Sequence, residues 1–231
     1  MGQPERLICI LGMHRSGTSC LTGSLQAAGL HLGDCHTWNP FNRKGNREND
    51  EFVQLNDAIL EANGGAWNKP PKKPVWQSQH EQQARDILHG YKDIPVLGFK
   101  DPRSLLALEG WKRIYPGIEF IGIVRHPNAV ARSLLNREQM PRAEALSLWY
   151  KYNKILYKEH QRGAFPLLCF DEDEELFHQK LDGAIKGLGL GSEIKDQRFY
   201  DDQLRTSNKG HQASLPWKVQ RLYSRLLKLC L

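Results

Sequence analysis

The chain has 231 residues, 40% of them hydrophobic and 25% charged, with 32 Lys and Arg against 26 Asp and Glu for a net charge of +6. That is the composition of an ordinary globule with one good-sized core, and we take residues 1–231 as a single domain. The five cysteines are odd in number and widely scattered, which excludes a disulfide framework or a zinc spacing. The mild basic excess would suit a polyanionic cofactor, an acidic substrate or nucleic acid, and does not choose among them.

The first apolar run, Leu7 to Leu11, is too short for a signal peptide or a membrane span, so a cytoplasmic location without a membrane partner is expected. It reads as a buried strand, followed by Gly12-Met13-His14-Arg15-Ser16-Gly17-Thr18-Ser19 and a helix from Leu21 to Ala28 that stops at Gly29. A helix follows over Glu51 to Ala62, then a loop over Asn63 to Gln77 with Pro70, Pro71 and Pro74, and a helix over Gln79 to His89. Strands are predicted at Pro95 to Phe99, Glu119 to Val124 and Pro166 to Phe170. Helices fill the spaces at Ser104 to Ile114, Asn128 to Arg137, Arg142 to Gln161, Glu174 to Leu188 and Pro216 to Lys228. Strands alternating with helices predict an α/β, P-loop-like three-layer fold: a mainly parallel central sheet flanked by helices, with ligands at the carboxyl ends of the strands.

The turn after the first strand places backbone N–H groups and a helix N-terminus around one anion, normally a phosphate. Its glycine spacing, Gly12 to Gly17, matches the nucleotide-triphosphate loop, but Thr18 stands where that loop needs lysine. The cation has moved to Arg15, whose planar fork can neutralise charge on a bridging oxygen without a metal. A second anion site is predicted after the third strand, in Arg125-His126-Pro127, with Ser133 two helical turns further on.

These two segments resemble those of the sulfotransferases that use 3′-phosphoadenosine 5′-phosphosulfate (PAPS). The first loop is similar to the family's (K/R)-S-G-T-(T/S) segment, which holds the 5′-phosphosulfate; Arg125 and Ser133 are similar to the pair that binds the 3′-phosphate. Phe99-Lys100-Asp101-Pro102-Arg103 resembles the K-D-P segment of the tyrosylprotein and bacterial branch, and Asn42 through Glu48 resembles its N-x-x-G-x-x-E stretch. The resemblance covers about residues 5 to 190 and implies transfer of a sulfuryl group to a hydroxyl or amine, with PAP as product and no metal. It implies binding of PAPS by His14, Arg15, Ser16, Gly17, Thr18, Ser19, Arg125 and Ser133, with Arg205 and Lys209 of the tail closing over the 3′-phosphate. Arg15 and Lys100 would stabilise the leaving group, and Glu48 would be the general base, with Asp50, Glu51 and Asp101 as reserves. The histidine base of cytosolic aryl sulfotransferases has no counterpart, since Pro102 and Arg103 occupy that region.

Simpler roles compete at several positions. Lys100 could pair with Asp101 at the surface, Glu48 could merely favour a helix start, and Ser104 could cap its helix. Arg103 could reach the cofactor or an acidic core partner. His14, His31 and His36 read as structural or solvated, and Trp38, Trp67 and Trp76 as packing residues or as stacking platforms for a ring. The expected acceptor is a small molecule, saccharide or peptide, with no nucleic-acid partner. Two other functions are set against the transferase: a degenerate P-loop phosphotransferase using Asp101 or Asp171 for magnesium, and a non-catalytic nucleotide-binding protein.

Overall fold

The computed structural model describes residues 2–36, 45–191 and 213–231. Arg205, Lys209, Trp38 and positions 42–44 of the Asn42–Glu48 stretch lie outside the described residues. Four strands, β1 (Arg6–Leu11), β2 (Val96–Lys100), β3 (Glu119–Val124) and β4 (Leu167–Cys169), form one sheet in the order β2-β1-β3-β4. The β1–β2 and β3–β4 pairs are parallel, with Ile8 opposite Gly98 and Ile123 opposite Leu168. Eight helices are present among the described residues: α1 (Thr18–Ala27), α2 (Asp50–Ala62), α3 (Ser78–Gly90), α4 (Ser104–Ile114), α5 (Pro127–Glu138), α6 (Arg142–Arg162), α7 (Glu174–Gly187) and α8 (Trp217–Leu227). This is the α/β fold with a parallel central sheet expected from the alternation of short apolar runs and longer amphipathic ones. No described helix is long and apolar enough to cross a membrane.

The chain divides into two compact units, residues 1–11 with 29–121 and residues 12–28 with 122–231. The first is organised around aromatic side chains carried by β2, α2 and α4. Phe52 stacks on Phe99 at 4.3 Å between centroids and on Trp111 at 5.4 Å, while Trp76 meets Trp111 edge-on at 5.3 Å. Each such pair adds about 0.5–1.5 kcal/mol beyond the area it buries. Trp76 is thus a packing residue, its Nε1 donating to the Ala107 carbonyl at 3.1 Å, and is not a platform for a bound ring. Gly110 makes room for it, since a Cβ there would stand 2.0 Å from the indole.

In the second unit, α6 lays Trp149, Tyr152 and Leu156 into the core, and α8 adds Val219, Leu222, Tyr223 and Leu226. Tyr223 meets the rings of His126 and Trp149 edge-on, at 5.0 and 6.0 Å. Helix α5 starts as its sequence requires: Pro127 takes the first helical position, where its missing N–H is no loss, and the His126 ring caps by accepting from Asn128 N–H at 3.2 Å.

Candidate functional site

In the second unit the Gly12–Gly17 turn leads into α1 with no acidic residue in the helix's first turn, so nothing there offsets its positive end. Gly17 caps the helix at φ 90°, a left-handed conformation, and a Cβ on it would lie 2.3 Å from the Phe170 ring. Arg15 is left-handed too, at φ 67°, which for a non-glycine residue costs about 1–3 kcal/mol and is found chiefly where function requires it. The Ser16 side chain is fully buried and its Oγ has no hydrogen-bond partner. A buried hydroxyl left unpaired costs about 1–3 kcal/mol, which a bound anion would relieve.

The charges at this turn point the same way. Arg15 lies below the ordinary arginine pKa, first because it is partly desolvated and then because Arg137 and Arg125 repel it, with Glu138 acting in the opposite sense. Its Nε donates to Ser133 Oγ at 2.7 Å, and Arg125 donates to the Arg15 carbonyl at 3.1 Å. The Arg15 guanidinium is thus turned toward Ser133 of the second predicted anion site. Arg125 lies 5.1 Å over the Phe170 ring and 3.9 Å from Asp171, whose other carboxylate oxygen accepts from His126 N–H. The 3.9 Å separation of Arg125 and Asp171 is too long for a tight pair. His14 meets the Tyr152 ring edge-on at 5.9 Å.

The first unit holds the other candidates. Lys100 ends β2 with a side chain only 2% exposed, and its Nζ donates to Glu48 Oε1 at 2.7 Å. The partner is thus Glu48, not Asp101, and the pair is not on the surface. Nor does Glu48 cap α2: Asn49 does, its side chain accepting from Glu51 N–H at 3.0 Å. Asp101 and Arg103 belong to an internal network. Arg103 bonds Asp101 at 2.9 Å and Asp57 at 2.6 Å, so it takes the acidic core partner. Asn56 Nδ2 donates to Asp101 at 2.9 Å and to Ser104 Oγ at 3.0 Å, while Asn56 Oδ1 accepts from Trp111 at 2.9 Å. Ser104 is the first residue of α4 and makes no cap; the residue before it, Arg103, holds the N-cap position, and its side chain does not cap the helix. Of the reserve bases, Asp50 pairs with His36 at 2.8 Å and Glu51 accepts from the Tyr91 hydroxyl at 2.9 Å. His31 Nδ1 accepts from Gly33 N–H at 3.0 Å, a local turn contact.

Asp101 and Arg103 respond to burial in opposite ways. The Asp101 carboxyl is pushed up from 3.8 to about 6, chiefly by burial against the opposing pull of Arg103, with Glu48 adding to the rise. Arg103 is raised as well, because Asp101 and Asp57 together overcome its own burial. The cation has two carboxylates; Asp101 has one cation and an acidic neighbour. A folded-state value above the unfolded one means that the folded protein holds the extra proton. Asp101 is therefore most favourable below about pH 4 and loses about 3 kcal/mol as pH rises through 6. Denaturant titrations of the wild type and Asp101→Asn should show their stability difference moving by that amount against the wild type between about pH 4 and pH 7. A difference independent of pH would mean that the Arg103 pair outweighs burial.

The sequence did not reveal the Asn56–Asp57–Arg103 network, because residues about 45 apart give no local signal. Phe170, the wall behind Gly17, was legible in principle as the residue at the carboxyl end of a strand. Asn128 and Arg142 were also missed; they bond each other at 2.9 Å and hold the carbonyls of Ala213 and Ser214 at 2.7 Å each. Among the described residues no group of three or more His, Cys, Asp or Glu is arranged to hold a metal ion.

A profile of the sulfotransferase family matches residues 8–171. In structure the chain is similar to the sulfotransferase domain from the Synechococcus PCC 7002 olefin synthase, with a TM-score of 0.61 and 16% identity, over 98% of this chain and 96% of that one. It is also similar to sulfotransferase STF1 from Mycobacterium tuberculosis H37Rv, with a TM-score of 0.50 and 16% identity, over 97% of this chain and 77% of that one. No curated protein matches the chain in sequence.

Proposed function

Since the chain belongs to the sulfotransferase family, we propose that it transfers a sulfuryl group from PAPS to a hydroxyl or amine of a small-molecule, saccharide or peptide acceptor and releases PAP. The observation that carries this reading is the buried, unpartnered Ser16 hydroxyl on a turn where Arg15 is desolvated and repelled by two further guanidiniums. Those residues fit a phosphate-type anion: a hydroxyl, helix N–H groups and one fork-shaped cation on the turn, with Arg125 bonded to the Arg15 carbonyl.

The donor supplies the sulfuryl group and a 5′-phosphate leaving group on whose bridging oxygen charge collects. In this proposal Ser16, Gly17, Thr18 and Ser19 bind the phosphosulfate through N–H and hydroxyl groups, while Arg125 and Ser133 hold the 3′-phosphate. Arg15 bonds Ser133 as it stands and reaches the phosphosulfate by rotating its guanidinium. Lys100 offsets charge on the leaving oxygen, and Glu48 accepts the acceptor's proton. The phosphotransferase reading needs a strand-end carboxylate for magnesium. Asp101 is taken up by Arg103 and Asn56, and Asp171 by His126 N–H and Arg125.

PAP added to the protein in EDTA is expected to raise its melting temperature, with about 2.7 kcal/mol of stabilisation at a hundredfold excess over Kd. Stabilisation by magnesium and ATP but not by PAP would overturn the proposal.

A further inference from the structure

The positive charge of the chain is concentrated on one pair of helices. Helix α6 carries five Lys and Arg against two Glu, and residues 213–231 carry four against no acid; these two stretches have a net charge of +7 where the whole chain has +6. Arg162 pairs with Glu159, and Arg142 is tied to Asn128. The rest face outward: Lys151, Lys154 and Lys158 on the face of α6 opposite its buried stripe, and Lys218, Arg221, Arg225 and Lys228 around the outer face of α8. The two faces adjoin, because Arg225 lies 6.0 Å over the ring of Tyr157 in α6.

Apolar groups are exposed among these cations. Trp217, the first residue of α8, is 68% exposed, with the Arg221 guanidinium 5.0 Å over its ring, and Leu227, the last residue of the helix, is 40% exposed. A linear polyanion would need the charges alone. An open indole and a leucine beside a cationic face are what an interfacial helix presents to lipid: the ring enters the headgroup layer while lysines and arginines meet anionic headgroups. We infer that the outer faces of α6 and α8 form a docking surface for an anionic phospholipid bilayer, holding the protein peripherally at a membrane. This departs from the expectation that no membrane partner exists, and it does not depend on the identity of the sulfuryl donor.

The test uses the full chain with vesicles of phosphatidylcholine alone and of equal parts phosphatidylcholine and phosphatidylglycerol. Sedimentation with the anionic vesicles only is expected, weakening with salt as the Debye length falls from about 30 Å at 0.01 M to about 8 Å at 0.15 M. Each cation removed should lower partitioning about fivefold, so the Lys218→Ala, Arg221→Ala, Arg225→Ala, Lys228→Ala fourfold variant should lose several hundredfold. If that variant fails to fold, the Lys218→Gln, Lys228→Gln pair should lose about twenty-five-fold on the same basis. Vesicles should also blue-shift the tryptophan emission of the wild type and leave that of Trp217→Ala nearly unshifted. No sedimentation with anionic vesicles, sedimentation that the lysine variants leave unchanged, or retention on heparin or duplex DNA without vesicle binding would each overturn the inference.

Discussion

Arg15→Ala is expected to lower kcat/KM for PAPS by about 10²–10³-fold, the usual cost of removing one donor aimed at developing charge, and to abolish the melting-temperature rise given by PAP. It should do so without destabilising the protein. The arginine is half-buried, held below its ordinary pKa by desolvation and by Arg137 and Arg125, and strained at φ 67°. Its removal forfeits the 2.7 Å bond to Ser133, worth about 1 kcal/mol, and relieves the desolvation and like-charge repulsion. The apo variant should therefore melt at or above the wild-type temperature, a stability gain that accompanies lost function at sites built for a ligand. A variant that melts several degrees lower would make Arg15 a structural prop. One that PAP still stabilises fully would remove it from the binding site. Ser133→Ala, which frees the guanidinium, should weaken PAP binding while leaving more of the turnover than Arg15→Ala does.

Most of what positions these groups was legible in the sequence, for reasons that differ by element. β3 and α4 occupy the predicted ranges, Glu119 to Val124 and Ser104 to Ile114, because an apolar run bounded by a glycine-containing turn or a proline has few alternatives. The other boundaries moved by a residue or a few: α1 begins at Thr18, three residues early, because Gly17 in the left-handed region already turns the chain into the helix. The first loop could be read because its chemistry is local, with glycine, arginine and hydroxyl residues adjacent in the chain. The partners of Lys100, Asp101 and Arg103 could not. Those pairings depend on how α2 packs on α4, and a sequence with one basic and one acidic neighbour at positions 100 and 101 suggests the nearer pair. Burial decided otherwise: Lys100 takes Glu48, 52 residues away, and Asp101 takes Arg103 and Asn56. The Trp76 role followed from the same cause, since a tryptophan in a proline-rich loop gives no sign that Gly110 has cleared a place for it.

Glu48→Gln separates the chemical step from binding. Loss of a positioned general base costs about 10²–10⁴-fold, and kcat should fall by that amount while PAP still raises the melting temperature as in the wild type. The substitution keeps an oxygen for Lys100 Nζ, which now meets Glu48 Oε1 at 2.7 Å, and it spares α2, whose cap is Asn49. Stability should nevertheless drop, because Lys100 is nearly inaccessible and loses its counter-charge; truncating one member of a buried pair costs about 3–5 kcal/mol, and the amide recovers part of that. Glu48→Ala should therefore melt lower than Glu48→Gln while being no slower in turnover. Lys100→Met tests the other half of the pair: it removes the buried charge together with its need for a partner, so it should restore much of the stability to Glu48→Gln and none of the activity. Two acid variants with near-normal kcat would assign Glu48 to holding Lys100 in place, and the proton would then have to leave through another group on the acceptor side.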